Sequence, residues 1–442
     1  MDIVIMVGQL ILGLSILVIL HELGHFVAAR AFGIKVEKFY LFFDAWGVSL
    51  FKFTYKDVEY GIGWLPLGGY VKIAGMIDES MDTEQLAGPP QPWEFRSKPA
   101  WQRLIVMLGG IIVNVVLGIL IFWILTARMG ETYVPIENVK YGIVPGTIGK
   151  KMGLQAGDQI IAINGNKVEK FNELVSPKVL LDHTVLTVDR AGKTFEVTVP
   201  ADIINHLSDY GIEEFISALP RSTFAIDSVI AKSPALAAGL KSGDSVLAVN
   251  NTPVVFYDEF RSQLQSNKSK VVDLTVKRSD STIHIMANVG ADGKLGLAPK
   301  FNFPETKTIH YGLFGSLPVG AVKAWDTFAD NFKGLGKIFK GDVKVDKAVG
   351  GPIKIATLFG TEVNWLHFWN LVGFLSMVLA FTNLLPIPAL DGGHAVFLII
   401  EMIKGKPLSD KFLERAQMVG FVLLITLIVF TFGNDIFKLI KK

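Results

Sequence analysis

The first apolar stretch of the chain is long enough to cross a membrane and ends in residues that suit a metal site. It begins at Ile3 and carries no charged side chain before the run His-Glu-Leu-Gly-His at residues 21–25. On a helix, His21 and His25 share a face and Glu22 lies beside them. Ionisable side chains are costly inside a bilayer and mark function there. We therefore predict a zinc site with His21 and His25 as ligands, on a membrane-spanning helix.

An alternative explanation needs no metal, because two histidines and a glutamate could form a helix end that protrudes into water. A second acid in an apolar setting, Asp391, favours the zinc site. In such a site Glu22 would act as the general base that takes a proton from water, as the same pattern does in zinc-dependent proteases.

The composition narrows the class of protein. Half of the 442 residues are hydrophobic (50%), which suits a chain that lies partly in a membrane. The net charge of +2 gives no indication of nucleic-acid binding. There are no cysteines, so disulfides and thiolate ligands are excluded and a metal must be held by His, Asp or Glu.

Four apolar segments approach or exceed the length that a bilayer requires. We predict a polytopic α-helical membrane protein with four transmembrane helices, two β-rich domains and a membrane-associated β-hairpin region. The predicted segments are transmembrane helix 1 at 1–32, a cytoplasmic or re-entrant β region at 33–100, transmembrane helix 2 at 101–127, β-rich domains at 128–220 and 221–305, an amphipathic segment at 306–365, transmembrane helix 3 at 366–390, a cytoplasmic loop at 391–417 and transmembrane helix 4 at 418–437.

The third span ends in a segment that cannot stay helical. Pro386 and Pro388 stand two residues apart, and Asp391 and His394 follow them. Unwound backbone at membrane depth is tolerated only where protein or a wet cavity satisfies it. We therefore predict a cavity beside Asp391, although a simple helix end at the interface fits the same residues. Spacing alone leaves open whether Asp391 or His394 is the third metal ligand.

The distribution of Lys and Arg predicts the orientation. These residues are frequent in 30–103 and again in 404–415, which places both segments in the cytoplasm. Both termini and residues 128–365 would then lie on the outer, periplasmic side. Lys438, Lys441 and Lys442 run against this assignment. At about 1.5 Å of helix per residue, the apolar residues from Ile3 up to His21 cross most of the hydrocarbon core, starting from the periplasmic side. His21 would therefore lie near the cytoplasmic face of the membrane.

Residues 153–164 recur in similar form at 239–250, with Gly-Leu, Gly-Asp, an apolar strand and a closing Asn in each copy. Such a repeat indicates two copies of one domain, and its pattern resembles the circularly permuted PDZ domain. PDZ domains bind peptides by adding a strand to a sheet edge. Three roles stay open: peptide binding, a size gate above the membrane site, or a spacer.

Residues 48–76 alternate as strands do and are punctuated by Gly61 and Gly63, which predicts hairpins. One of these strands could be an edge that dips towards the metal and pairs with an extended substrate. Residues 77–99 read as a Pro-rich loop. Residues 321–339 have helical spacing, and this segment could lie on the membrane surface or pack on the repeated domains.

Together the motif at 21–25, the paired β-rich domains and the run 383–394 resemble the site-2 protease family over essentially the whole chain. The resemblance implies that His21, His25 and Asp391 bind zinc and that Glu22 is the general base. It also implies that Asn383 clamps the substrate, with Pro386 beside it, and that Gly61, Ile62 and Gly63 belong to a re-entrant β-loop. The family often has Gly-Pro-x-x-Asn in its second span. Here Gly110 and Asn114 lack the Pro between them, which predicts a straighter helix.

The sequence thus predicts a zinc intramembrane endopeptidase in a bacterial inner membrane. Its expected partners are membrane lipid and single-span membrane proteins, such as an anti-sigma factor or remnant signal peptides. A metal-dependent membrane transporter, with Asp391 lining an ion path, is the alternative from another class. A PDZ scaffold with a vestigial site is a further alternative, and the intact motifs argue against it.

Overall fold

A computed structural model describes residues 2–66, 68–76 and 88–440. The helices are α1 Asp2–Ala31, α2 Ala100–Met129, α3 Thr147–Lys151, α4 Pro177–Leu181, α5 Ile203–Tyr210, α6 Pro234–Ala237, α7 Tyr257–Ser266, α8 Gly312–Lys340, α9 Val345–Ala348, α10 Pro352–Phe359, α11 Trp365–Leu384, α12 Asp391–Lys404 and α13 Asp410–Ile440.

The strands are β1 Val36–Leu41, β2 Ser49–Tyr55, β3 Val58–Gly63, β4 Tyr70–Ile73, β5 Glu131–Tyr133, β6 Gln159–Ile163, β7 Asn166–Lys167, β8 Val185–Arg190, β9 Lys193–Thr198, β10 Phe224–Val229, β11 Ser245–Val249, β12 Thr252–Pro253, β13 Val271–Arg278, β14 Ser281–Asn288, β15 Leu297–Phe301 and β16 Lys307–Ile309. The chain divides into two compact units. One comprises Met1–Glu131 with Ile309–Lys442, and the other is Thr132–Thr308.

Four helices in the described part of the chain, α1, α2, α11 and α13, are long and apolar enough to cross a membrane. The predicted number of membrane-length apolar helices is therefore confirmed, but two of the expected limits are wrong. Helix α11 ends at Leu384 rather than at residue 390, because Pro386 cannot continue it. The expected loop at 391–417 contains helix α12, and α13 begins at Asp410 rather than at 418.

Helix α2 is the centre of the first unit, because α1, α8, α11 and α12 all pack against it. It runs unbroken from Ala100 to Met129, which agrees with the absence of proline. Helix α8 contains the segment 321–339, which was expected either to lie on the membrane surface or to pack on the repeated domains. Its Gly320 lies so close to α2 that an added Cβ would be 2.5 Å from the backbone nitrogen of Trp123. The main contact of α8 is thus with a membrane-length helix.

A four-stranded sheet follows α1, with strand order β2-β3-β1-β4. The expected hairpin is present, since β2 and β3 are antiparallel and joined by the turn at Lys56 and Asp57. Strand β1 was not expected, and it changes the position of β3. Ile62 pairs with Leu41 on one side and with Phe51 on the other. Gly61, Ile62 and Gly63 therefore lie on an interior strand, and the edge strands of this sheet are β2 and β4.

The predicted loop at 77–99 falls partly outside the described residues, which omit 77–87. Its remaining part, 88–99, contains a single 3₁₀ turn at Phe95–Ser97. Phe95 is buried, and its backbone N–H donates to the carbonyl of Ala74, so this part of the loop is fixed to the end of β4.

The second unit contains the two predicted repeats, each with its own apolar core. The first repeat forms a sheet of order β7-β6-β8-β9, and the second forms a sheet of order β12-β11-β13-β14. The two sheets thus have the same topology. The repeated sequence motif therefore corresponds to a repeated structure.

A buried ion pair recurs at the same place in both repeats. Arg190 Nε donates to Asp158 Oδ1 over 2.6 Å, and Arg278 Nε donates to Asp244 Oδ1 over 2.8 Å. Each aspartate also accepts a backbone N–H three residues before it. The hydrogen bond from Arg278 holds the pKa of Asp244 below its usual range. The Asp of each Gly-Asp pair thus anchors its turn to a distant strand.

Candidate metal centre

The candidate centre depends on a close crossing of α1 and α2. A Cβ built on Gly24 would lie 2.3 Å from the carbonyl oxygen of Gly109, and one built on Gly109 would lie 2.5 Å from that of Gly24. Only glycine at both positions lets the two backbones come this close. His21 and His25 are buried on the same face of α1 as Gly24, so the crossing directs both imidazoles at α2.

Helix α2 fixes the tautomer of His25. The Nδ1 of His25 lies 2.8 Å from the carbonyl oxygen of Val106, and a carbonyl can only accept. The proton of neutral His25 therefore sits on Nδ1, and the Nε2 lone pair is free. This is the arrangement of a histidine that binds a metal through Nε2, with its other ring nitrogen held by a carbonyl.

Three ligand atoms converge on one point. The Nε2 atoms of His21 and His25 are 3.3 Å apart, and Asp391 Oδ2 lies 3.2 Å from the first and 3.3 Å from the second. Among the described residues, this is the group of His, Asp and Glu side chains that could hold a metal ion. In the described part of the chain Asp391 Oδ2 is buried and accepts no hydrogen bond.

These distances suit zinc. Ligand atoms about 2.0–2.1 Å from a tetrahedral zinc ion lie roughly 3.3–3.4 Å from one another. The three measured separations agree with that value. Two neutral imidazoles and a carboxylate, held this close with their lone pairs facing one another, are a donor set that a divalent cation would neutralise. Three ligands leave the fourth tetrahedral position open.

The proline-broken segment brings Asp391 to the histidines. Asp391 is the first residue of α12, and Gly392 and Gly393 follow it. A Cβ on Gly392 would lie 2.4 Å from the carbonyl oxygen of Leu384, and one on Gly393 would lie 2.4 Å from that of Ile387. The two glycines therefore let the unwound segment fold back over the start of α12. His394, the other candidate ligand, is outside the group formed by the described residues.

The remaining predicted residues lie at different distances from the three ligands. Asn383 is buried in the last turn of α11, and its Nδ2 lies 3.1 Å from His21 Nε2. Glu22 is half-buried and faces the start of β4, since a Cβ on Gly69 would lie 3.3 Å from Glu22 Cγ. Pro386 lies in the segment between α11 and α12. The site thus joins α1, α2, α11, α12 and β4.

Several contributors were not identified in the sequence. The carbonyl of Val106 carries no sequence signal, because any residue would supply it. Gly69 is the second residue of a Gly-Gly pair to which no role was assigned from the sequence. Gly110 and Asn114 were considered only as parts of a family motif that lacks its Pro here, and Gly109, which lets α1 and α2 pack closely, was not identified. A polar Asn in an apolar span was a signal that more than packing was involved.

Comparisons with known proteins agree with this geometry. Residues 9–427 match peptidase family M50. The regulator of sigma E protease of Haemophilus influenzae is 30% identical over 451 residues, covering 98% of this chain and 98% of the relative. The regulator of sigma-E protease RseP of Escherichia coli is 29% identical over 455 residues, with 98% of each chain covered. A Pasteurella multocida protein with a provisional zinc-metalloprotease name is 30% identical over 452 residues, again covering 98% of each.

The membrane-length helices and the His-His-Asp group place the chain among the membrane metalloproteases. More specifically, it belongs to peptidase family M50, the site-2 protease family. The resemblance found in the sequence is therefore confirmed.

The effect of the close crossing of α1 and α2 on zinc binding can be tested at Gly110. A Cβ there would lie 2.5 Å from both His21 Cε1 and His25 Nε2. We expect Gly110→Ala to displace the imidazoles and weaken zinc binding roughly 10-fold or more, the size of effect that disturbed ligand orientation produces. The measurement is the zinc dissociation constant of the purified full-length protein against a competing chelator.

The matched control is Gly8→Ala on α1, the other helix of the crossing, where an added Cβ meets no atom of the described residues within 4 Å. Gly8→Ala should bind zinc like the wild type. Wild-type affinity in Gly110→Ala would contradict the packing on which this expectation rests.

Proposed function

We propose that this chain is a zinc-dependent intramembrane endopeptidase that cleaves single-span membrane proteins. The observation that carries the proposal is the triangle of His21 Nε2, His25 Nε2 and Asp391 Oδ2, with sides of 3.2–3.3 Å, built on helices of membrane length. When bound there, zinc supplies Lewis-acid activation of water and of a peptide carbonyl.

In this proposal Glu22 moves the proton. It follows His21 directly in α1, it is half-buried, and its side chain lies against Gly69. A carboxylate so placed can accept a proton from the attacking water and pass it to the nitrogen of the leaving amine. His21, His25 and Asp391 would hold the metal, and no proton transfer is assigned to them.

A transmembrane substrate must first unwind, because a helix hides its carbonyls in its own hydrogen bonds. Two parts of the site could take up the freed backbone groups. Asn383 offers a side-chain amide next to His21, and β4 is an edge strand whose paired neighbour, among the described residues, is β1. Gly69 at the start of β4 lies against Glu22. We propose β4 as the strand that pairs with substrate, in place of Gly61–Gly63 on β3.

We further propose a bacterial inner-membrane location with both termini and Thr132–Thr308 on the periplasmic side. The distribution of Lys and Arg in the segments next to α1 and α12 supports this orientation. The active site would then lie near the cytoplasmic face. The names of the relatives concern sigma-E regulation, and we extend that role here. The substrate would be an anti-sigma factor already cut outside the membrane, and remnant signal peptides would be further substrates.

Unit Thr132–Thr308 is proposed to be a pair of circularly permuted PDZ domains. Its two equal sheets and repeated Asp–Arg pairs support one domain in two copies. The two copies contact each other. The guanidinium of Arg221 lies 3.8 Å above the ring of Phe256, which also contacts Tyr141 at 5.0 Å between ring centroids. Such a pair suits a size gate that spares intact membrane proteins, with peptide binding as a secondary role.

The role of Glu22 is tested by Glu22→Gln, which keeps the shape of the side chain and removes the base. We expect zinc content to stay at the wild-type level while cleavage of a single-span peptide in detergent falls about 10²–10⁴-fold. His25→Ala and Asp391→Ala should instead lose zinc. Metal analysis and cleavage rates are measured on the same preparations.

The matched control is Glu414→Gln, an exposed glutamate on α13, which should cleave like the wild type. Near wild-type cleavage by Glu22→Gln would show that the assigned base is wrong. Wild-type protein that loads zinc and cleaves nothing would favour the transporter.

The substrate clamp is tested by Asn383→Ala. Losing one or two hydrogen bonds to an unwound backbone should lower kcat/KM about 5–30-fold with zinc still bound. Asn370→Ala provides the control, because Asn370 lies on the same helix, is exposed and donates only locally to Leu366. The two variants are compared on a helical transmembrane peptide and on a pre-unwound one. Full activity of Asn383→Ala on both peptides would remove Asn383 from substrate binding.

The gate is tested by replacing residues 141–304 with a short Gly-Ser linker. This deletion keeps β5 and β16, which pair where the chain leaves and re-enters the first unit. The reporter is one transmembrane segment that carries either a folded outer domain or a stub. Wild type should prefer the stub strongly, and the deletion should narrow that preference. A folded, zinc-loaded deletion that keeps the full preference would show that gating lies elsewhere.

A further inference from the structure

Asn114 of α2 is a fully buried polar side chain near the metal centre, with 0% exposure. Its Nδ2 lies 3.0 Å from His21 Nδ1. The Nδ2 of Asn383 lies 3.1 Å from the other ring nitrogen of His21, Nε2. His21 is therefore enclosed between two amides, and no backbone carbonyl of the described residues fixes its tautomer as Val106 fixes that of His25.

The side-chain amides of Asn114 and Asn383 cannot both donate a hydrogen bond to His21 at the same time. A neutral imidazole has one N–H and one lone pair, so it accepts from one amide nitrogen and must donate to an oxygen on its other side. One of the two amides must therefore present its oxygen. Turning an amide by 180° exchanges its oxygen and nitrogen in nearly the same space.

A second observation selects Asn114 as the amide that turns. Within the described residues Asn114 Oδ1 is buried and has no hydrogen-bond partner. An unpaired buried oxygen costs about 1–3 kcal/mol. With the amide turned, Oδ1 accepts from His21 Nδ1–H and the orphaned atom is satisfied. The Nε2 lone pair then points at His25 Nε2 and Asp391 Oδ2, where the metal would lie.

We infer that Asn114 is a positioning residue that fixes His21 in its Nδ1–H tautomer and thereby makes Nε2 a metal ligand. This rests on the proposed zinc site. The two histidines would then be held alike from α2, His25 by a backbone carbonyl and His21 by a side-chain oxygen. Such outer partners of metal-bound histidines typically contribute 10–100-fold to metal affinity.

The test is the zinc affinity of three full-length variants, measured with a competing chelator and without reference to proteolysis. Asn114→Leu has similar bulk and no acceptor, and it should bind zinc about 10–100-fold more weakly. Asn114→Asp keeps an acceptor at the same place and should restore affinity to within about threefold of wild type, because a carboxylate accepts the same proton. Ser376→Ala removes the 2.7 Å hydrogen bond to the backbone carbonyl of Asn114 without touching its amide. This variant should bind zinc like the wild type.

A direct measurement requires no variant of Asn114. Nitrogen-15 NMR of histidine-labelled, metal-free enzyme reports which ring nitrogen of His21 carries the proton, with assignment by the loss of its signals in His21→Ala. We expect Nδ1–H. A proton on Nε2 overturns the inference, as does wild-type affinity in Asn114→Leu or an equal loss in the Leu and Asp variants. Wild-type protein that binds no zinc would instead refute the proposed function.

Discussion

The contact of two backbones at Gly24 and Gly109 is the constraint on which the rest of the site depends. An added Cβ at either residue would lie 2.3–2.5 Å from the opposite carbonyl oxygen, so the crossing exists only with glycine. At this separation α2 meets the far side of both imidazoles, through the carbonyl of Val106 and the amide of Asn114. A wider crossing would leave each Nδ1 without its partner, and both Nε2 atoms would lose their common direction. The close packing of α1 and α2 therefore also determines how the two imidazoles are oriented.

Asp391, the third member of the candidate metal group, is brought to that crossing by an unwound segment rather than by a regular helix. Pro386 ends α11, Ala389 adopts a left-handed φ of 78°, and Gly392 and Gly393 allow the unwound segment to lie against the start of α12. Asp391 therefore reaches the histidines from the first turn of a new helix. Unwound backbone of this kind is costly in a bilayer unless protein covers it. Gly420 of α13 provides part of that cover, because a Cβ there would overlap the carbonyl oxygen of Pro388.

The second unit, Thr132–Thr308, is stabilised by its own apolar cores rather than by contacts between membrane-length helices. Each repeat has its own apolar core and one Asp–Arg pair, with the Asp buried, that ties its Gly-Asp turn to a strand distant in sequence. Such a unit needs no membrane to bury its apolar residues. Its stability is therefore separable from that of the metal centre.

The sequence alone determined the features that are local in the chain. These are the shared face of His21 and His25, the four apolar spans, the helix end at the prolines and the repeated Gly-Asp turns. It did not determine the edge of the sheet, because β1 inserts beside β3 and only pairing across the fold decides which strand is free. Nor did it determine the tautomers of the histidines or choose between Asp391 and His394. The hydrogen bonds at the two histidines join residues 81, 93 and 362 positions apart, and periodicity carries no information at such separations. The tertiary structure decided which side chains meet, because it alone brings α1, α2, α11 and α12 together, with Asp391 and not His394 in the group of described residues that could hold a metal.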